Sequence, residues 1–184
     1  DFNEMTSIDG LFAAGECSWT YHGANRLGAN SLLSASVDGW FTLPFTIPNY
    51  LAHHLGEAAL DLEAPEVKEA LTRTQDRIDA LMNIEPVDPH GPEYFHEQLG
   101  AILYEHCGVA RTVEGLQEGI QKVRALREDF WRNLHIPGGQ HDMNQTLEAA
   151  LRLLDYINLG ELMCVDALDR DESCGAHYRM DHLT

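Results

Sequence analysis

The chain has 184 residues, enough for one domain or for a small domain with part of another. Its 30 acidic residues against 12 Lys and Arg give a formal net charge of −18, which argues against nucleic-acid binding because the surface repels phosphate. The same charge disfavours attachment to anionic lipid, and no apolar run reaches the roughly 18 residues of a membrane-spanning helix. Any membrane association is therefore expected to run through a protein partner.

The first third of the chain differs in composition from the rest. Residues 1–64 are rich in Gly, Ala, Ser and aromatic residues, whereas residues 65–171 are rich in Glu, Leu, Arg and Ala at helical spacing. Residues 10–15 predict a short buried strand bounded by glycines, followed by a loop over 22–30. A helix is then predicted to begin at Asn30 or Ser31 and to extend to about Leu55.

The remaining sequence predicts a small antiparallel helical bundle. Apolar residues recur there every three or four positions, and proline- or glycine-rich loops separate the periodic segments. The predicted helices cover 65–83, 93–106, 112–133 and 143–170.

Several residues of the first region suggest a ligand site. Glu16 directly follows the predicted strand, where a carboxylate can accept hydrogen bonds from a sugar diol. The start of the helix at Ser31 offers unpaired N–H groups to an anion, or to a ring that becomes anionic on reduction. Arg26 lies in the same loop and suits a carboxylate. These residues alone do not distinguish a flavin from a nucleotide or a phosphate, and a plain turn with a surface arginine remains the alternative.

Two strings in this region are far more specific than a single glycine motif. They are Gly-Leu-Phe-Ala-Ala-Gly-Glu at 10–16 and His-Gly-Ala-Asn-Arg-Leu-Gly-Ala-Asn-Ser-Leu-Leu at 22–33. Together they resemble the flavin-proximal segment of succinate dehydrogenase and fumarate reductase flavoprotein subunits. The segment Arg-Asp-Glu-Ser-Cys-Gly-Ala-His at 170–177 resembles a C-terminal segment of the same family, with Cys174 where many relatives carry arginine.

The resemblance implies a role for each matching residue. Glu16 would bind the ribose of FAD, and Arg26 would bind and orient a carboxylate of the dicarboxylate substrate. The remaining cofactor contacts would come from Ser31 and Leu32 at the isoalloxazine ring, and from the backbone near Asn25 and Ala29. No catalytic residue of the family has a match in this chain, and no metal site is expected, because His53-His54 and His106-Cys107 lack a second spaced pair.

The expected fold is mainly α. The end of a Rossmann-like FAD-binding domain (short strand, loop, helix) would occupy residues 1–62, and a small helical bundle, the C-terminal domain, would occupy residues 63–184. Because no G-x-G-x-x-G sequence occurs, the pyrophosphate site is missing. The chain by itself is therefore expected neither to hold FAD tightly nor to be active.

The resemblance implies succinate dehydrogenase activity: FAD-dependent oxidation of succinate to fumarate, with electrons passed through an iron–sulfur subunit to quinone. A membrane-anchor subunit would hold the complex at the cytoplasmic face of the bacterial inner membrane. The four cysteines, without paired spacing, agree with a reducing compartment. The alternatives are fumarate reductase, L-aspartate oxidase, or a helical interaction module without its own catalysis.

Overall fold

The computed structural model of the protein describes residues 3–22, 25–58 and 61–183. The chain divides into two compact units, Asp1–Leu60 and Asp61–Thr184. Within the described residues, no helix is both long enough and apolar enough to cross a membrane.

The first unit consists of an irregular segment followed by a nearly continuous run of helix. Its elements are a 3-10 segment, Gly15–His22, helix α1, Asn30–Val37, a π-helical turn, Asp38–Thr42, and helix α2, Leu43–Ala52. The predicted helix start is confirmed, and the helix ends three residues earlier than predicted. The N–H of Leu43 bonds to the carbonyl of Asp38, five residues back, so the helix widens directly before Pro44, whose ring would crowd a regular turn.

The structure differs from the predicted strand over residues 10–15. It has a single antiparallel bridge between Met5 and Phe12, closed by a turn in which Gly10 has φ +79°. The N–H of Ala13 donates to the carbonyl of Glu4 at 2.8 Å. A β-strand needs hydrogen-bonding partners along its whole length. Within the described residues, the segment 10–15 pairs only with the residues just before it.

Little apolar surface is buried in the first unit. Asp38 is the one buried residue among those described there. Most of its large apolar side chains are exposed; they include Leu32, Leu33, Trp40, Phe41, Phe45 and Leu51 in the helical run and Leu55 just beyond it. Apolar burial within this unit therefore contributes little to its stability.

The second unit is a helical bundle, as predicted. Its helices are α3, Pro65–Met82, α4, Pro92–His106, α5, Val113–Asn133, and α6, Gln145–Asp169. All four predicted helices are confirmed to within two residues at each end. Two of them begin at side-chain caps: Thr112 Oγ1 accepts from the N–H of Gly115 at 3.1 Å, and Asn144 Oδ1 accepts from that of Leu147 at 3.0 Å.

Helices α4, α5 and α6 form the core of the bundle, and α3 packs against α6. The rings of Phe95 and Phe130 meet edge to face, with 5.4 Å between their centroids. A second, smaller cluster lies where α4 ends; its buried members are Cys107, Leu116, Ile120, Cys164 and Ala167.

A two-stranded parallel sheet ties the end of the chain to the bundle. Strand β1, Ala110–Arg111, pairs with strand β2, Tyr178–Arg179. The ring of His177 bridges two groups: Nε2 lies 3.1 Å from the carbonyl of Arg170, and Nδ1 lies 2.8 Å from Arg111 Nη1. These partners fit a neutral ring that carries its proton on Nε2, since a carbonyl can only accept and a guanidinium can only donate.

Arg179 is fully buried and caps the C-terminal end of α6. Its Nη1 donates to three carbonyls, those of Ala167, Leu168 and Arg170, at 3.0–3.2 Å. Its Nε and Nη2 donate to the two carboxylate oxygens of Asp181. The guanidinium thus neutralises both the negative end of the helix and a carboxylate.

Glu161 of α6 joins two arginines of α5. Its Oε1 accepts from Arg124 Nε at 2.6 Å, and its Oε2 accepts from Arg127 Nη2. The hydrogen bond from Arg124 is the main cause that lowers the pKa of Glu161, with Arg127 adding to it against the effect of burial.

We expect Arg179→Met to lower the free energy of unfolding by about 3 kcal/mol, because it removes the guanidinium from the buried carbonyls at the end of α6 and leaves Asp181 paired only with His182. Chemical denaturation monitored by circular dichroism measures the change. Arg152→Met is the matched control, since Arg152 is exposed and pairs with Glu148 and Tyr156, each one turn away on the same helix; it should have no measurable effect. Equal free energies of unfolding for both variants would show that the buried guanidinium does not stabilise the packing of residues 179–181 against the end of α6.

We expect Glu161→Gln to cost about 1–2 kcal/mol at pH 7 through the loss of charge-assisted hydrogen bonds. Because the folded state lowers the pKa of Glu161, this stabilisation is complete above the ordinary value of 4.5 and is lost as the pH falls below it. Denaturation curves at pH 7 and at about pH 3 should therefore show the two proteins converging in acid. A constant difference between them would argue against the ion pairs.

Candidate functional site

A buried carboxylate fixes the segment that carries Glu16. The N–H of Gly15, where φ is +75°, donates to Asp38 Oδ2 at 2.8 Å. Asp38 is 3% exposed and begins the π-helical turn after α1. This bond joins the start of the 3-10 segment to the far end of α1, so the position of Glu16 depends on the helix.

The structure brings together two of the residues predicted to contact a cofactor. Ser31 Oγ donates to Glu16 Oε1 at 2.6 Å. Glu16 is exposed and Ser31 is half-buried, so this contact lies at the surface of the unit. The second carboxylate oxygen, Oε2, keeps its full capacity to accept hydrogen bonds from another group.

The N-terminus of α1 begins without a capping side chain. Ala29 occupies the cap position in the left-handed region, with φ 65°, and has no side-chain oxygen to offer to the first-turn N–H groups, of which that of Asn30 donates to the carbonyl of Leu27 at 3.3 Å. Holding an alanine there costs about 1 kcal/mol. A Cβ added at Gly28 would meet no atom within 4 Å, so there is open space beside this turn. Unpaired donors, a partial positive charge and room for a flat group therefore coincide here.

The loop that leads into α1 is exposed. Asn25, Arg26 and Leu27 all face solvent, and so does Leu32 in the first turn, with 81% of its surface accessible. Over residues 3–22, 25–58 and 61–183, no hydrogen bond or ion pair involves the guanidinium of Arg26. Two residues of the recognised motif, Gly23 and Ala24, lie outside the described residues.

The motif histidine has a local partner in α1. His22 Nε2 lies 3.2 Å from Ser34 Oγ, and Ser34 Oγ also donates to the carbonyl of Ser31 at 3.0 Å. Together with the Glu16–Ser31 bond, this contact ties both ends of the 3-10 segment to the first turns of α1.

Sequence reasoning did not identify Asp38 or Arg179 as organising residues. The signal for Asp38 was a single acid within the apolar stretch Val37-Asp38-Gly39-Trp40, which favours a buried partner. No signal marked Arg179, because arginine is mostly found at the surface. Among the described residues, no three His, Cys, Asp or Glu side chains come together in a way that could hold a metal ion.

These residues fit FAD at its ribose and at its flavin ring. The free oxygen of Glu16 can accept from a diol, and the uncapped end of α1, beside the open space at Gly28, can receive a planar ring that gains negative charge. The sequence offers nothing comparable for the pyrophosphate.

Comparisons with known proteins match both regions of the chain. Residues 96–184 match the family model "Fumarate reductase flavoprotein C-term", and residues 2–32 match the model "FAD binding domain". The chain is 30% identical to the succinate dehydrogenase flavoprotein subunit of Bacillus subtilis, over 99% of this chain and 30% of that one. It is 35% identical to the fumarate reductase flavoprotein subunit of Escherichia coli, over 98% of this chain and 29% of that one.

A solved structure of a quinol-fumarate reductase with menaquinol molecules has the same fold. It superposes with a TM-score of 0.82 at 31% identity, over 98% of this chain and 30% of the other. The fold and the matched family models thus define part of a flavoprotein subunit. The chain belongs to the succinate dehydrogenase and fumarate reductase flavoprotein family, whose cofactor is FAD, and spans about 30% of the length of these relatives.

Proposed function

We propose that this chain forms one wall of the active site of a flavoprotein subunit that oxidises succinate to fumarate. One observation carries the proposal: the hydrogen bond between Glu16 and Ser31 brings a diol-binding carboxylate to the uncapped end of α1, directly after the exposed loop that holds Arg26. Bound FAD would supply the acceptance and release of a hydride.

Each side chain then has a separate task. Glu16 binds the ribose through its free oxygen. The first turn of α1, with Ser31 and Leu32, stabilises negative charge on the ring through backbone N–H groups, and the backbone near Asn25 and Ala29 lines the same pocket. Arg26 holds a substrate carboxylate through two parallel hydrogen bonds, since its guanidinium is exposed and always charged.

The division of the chain into two units supports a separate role for each of them. We propose that residues 1–62 complete the FAD-binding domain and that residues 63–184 form the helical C-terminal domain. The exposed apolar side chains of α1 and α2 favour this assignment, because such a surface is stable when further parts of a domain cover it.

The partners follow from the same proposal. Electrons leave through an iron–sulfur subunit, and an anchor subunit holds the complex at the cytoplasmic face of the bacterial inner membrane. The net charge of −18 supports attachment through protein rather than through anionic lipid. The relatives are named as subunits of succinate dehydrogenase and fumarate reductase.

The substrate is tested on the full-length protein with its co-purified subunits. Turnover of succinate with a quinone analogue supports the proposal. Activity confined to fumarate with a reduced donor assigns the protein to fumarate reduction, and activity confined to L-aspartate assigns it to aspartate oxidation. Absence of all three activities in a preparation that retains FAD would overturn the assignment.

We expect Arg26→Lys in the full-length protein to lower kcat/KM for succinate by about 10²-fold, because an ammonium group cannot make the two-pronged contact with a carboxylate. Arg73→Lys is the matched control, because Arg73 is an exposed residue of α3 whose ion pair with Glu69 is 3.6 Å long. Steady-state kinetics of both variants at equal FAD content decide the point. An unchanged kcat/KM for Arg26→Lys would remove this residue from the substrate site.

We expect Glu16→Gln to reduce the FAD retained per polypeptide several-fold, because an amide oxygen is a weaker acceptor than a carboxylate for the ribose hydroxyls. The change keeps an acceptor for Ser31 Oγ, so the local fold should persist. Flavin absorbance against protein concentration after gel filtration measures the loss. The control is Glu57→Gln, an exposed glutamate of the same unit that bonds to His54; if both variants retain FAD equally, Glu16 does not bind the ribose.

A further inference from the structure

Two cysteines far apart in the sequence meet in the small cluster at the end of α4. Cys107 directly follows α4, and Cys164 lies on α6. They are 6% and 0% exposed and pack among Leu116, Ile120 and Ala167. The remaining cysteines, at positions 17 and 174, are exposed. The pair at 107 and 164 is thus a buried dithiol held between two helices.

A glycine of α5 allows the close packing around this dithiol. A Cβ added at Gly119 would lie 2.8 Å from the Cβ of His106 and 3.5 Å from Cys164 Sγ. Any larger residue would push the end of α4 away from α5. The backbone of α5 at Gly119 therefore packs closely against both His106 and Cys164 and leaves no empty space beside them.

The two thiols are electrostatically unequal. A hydrogen bond from the thiol of Cys164 lowers the pKa of Cys107 to about 7; burial opposes this effect and the positive charge of Arg111 adds to it. The same bond raises the pKa of Cys164, and burial raises it further. Of the two thiols, that of Cys107 therefore loses its proton more readily.

We propose that Cys107 and Cys164 form an oxidative modification site, at which a hydroperoxide closes a disulfide between the end of α4 and α6. The Cys107 thiolate attacks one peroxide oxygen, the O–O bond breaks, and a sulfenic acid forms as hydroxide leaves and takes up the cysteine proton as water. The sulfur of Cys164 then attacks the sulfenic sulfur, and its proton leaves with the departing hydroxide as a second water. Two thiols lose two electrons and two protons, and hydrogen peroxide becomes two waters.

The positions of Lys and Arg allow a disulfide between Cys107 and Cys164 to be detected by peptide mapping. Cleavage after these residues places each cysteine on its own peptide: Cys17 lies on the peptide that ends at Arg26, and the others lie on peptides 78–111, 153–170 and 171–179. The full-length protein is titrated with hydrogen peroxide, denatured in iodoacetamide and digested without reductant. We expect mass spectrometry to find peptide 78–111 joined to peptide 153–170, and the joined species to disappear on reduction. Both peptides fully alkylated while the exposed Cys17 is already oxidised would overturn the proposal.

Serine variants separate the two roles. Cys164→Ser should leave a sulfenic acid at Cys107 that dimedone traps, whereas Cys107→Ser should leave Cys164 reduced and unlabelled. Cys17→Ser, the control, should leave the cross-link unchanged. Equal dimedone labelling at both positions, or a cross-link that requires Cys17, would contradict the assignment. Should a serine variant fail to fold, the peptide map of the unaltered protein decides alone.

Discussion

The structure depends on how its helices satisfy the backbone groups at their ends. Every α-helix leaves N–H groups at one end and carbonyls at the other without partners inside the helix. In the second unit, Thr112 and Asn144 cap two N-termini, Pro65 and Pro92 begin the other two helices and have no N–H to satisfy, and the buried guanidinium of Arg179 caps the C-terminus of α6. Helix α1 has neither a capping side chain nor a proline at its first position, and Ala29 precedes it in a left-handed conformation. Glu16 is held beside this start.

The two units differ in what stabilises them. The bundle buries aromatic and aliphatic side chains in a continuous core around Phe95 and Phe130. The first unit has, among its described residues, one buried side chain, the carboxylate of Asp38, and its order depends on directed hydrogen bonds such as that from Gly15. Directed bonds fix the position of a loop accurately but contribute little net free energy. Such bonds hold the segment that carries Glu16 against α1.

The sequence predicted the helices well and the contacts between them poorly. Periodic apolar residues set the positions of α3 to α6, and local capping residues set where α5 and α6 begin, because both signals lie within a few residues of the feature they determine. The bond between Glu16 and Ser31 joins residues 15 positions apart, and the family resemblance indicated both residues without indicating their contact. The burial of Arg179 depends on carbonyls of α6 and on Asp181, which no local pattern reveals. A strand over residues 10–15 would need neighbouring strands to pair with, and the periodicity of its own residues cannot show whether these exist. The π-helical turn arises because the ring of Pro44 would crowd a regular turn, whereas the sequence predicted a regular helix there.

The pairing of β1 with β2 sets an order on the folding of the second unit. Arg111 is in register with Arg179, and the segment between them contains all of α5 and α6. During synthesis α4 and α5 can form and pack against each other early, but the end of α6 stays without its cap until residue 179 has left the ribosome. Until that moment the carbonyls of α6 and the side of β1 are open to water and to other chains. The bundle therefore closes only after residue 179 has been synthesised, so a chain stalled or clipped before that residue carries an unfinished helix end that the cell's quality-control proteases can recognise.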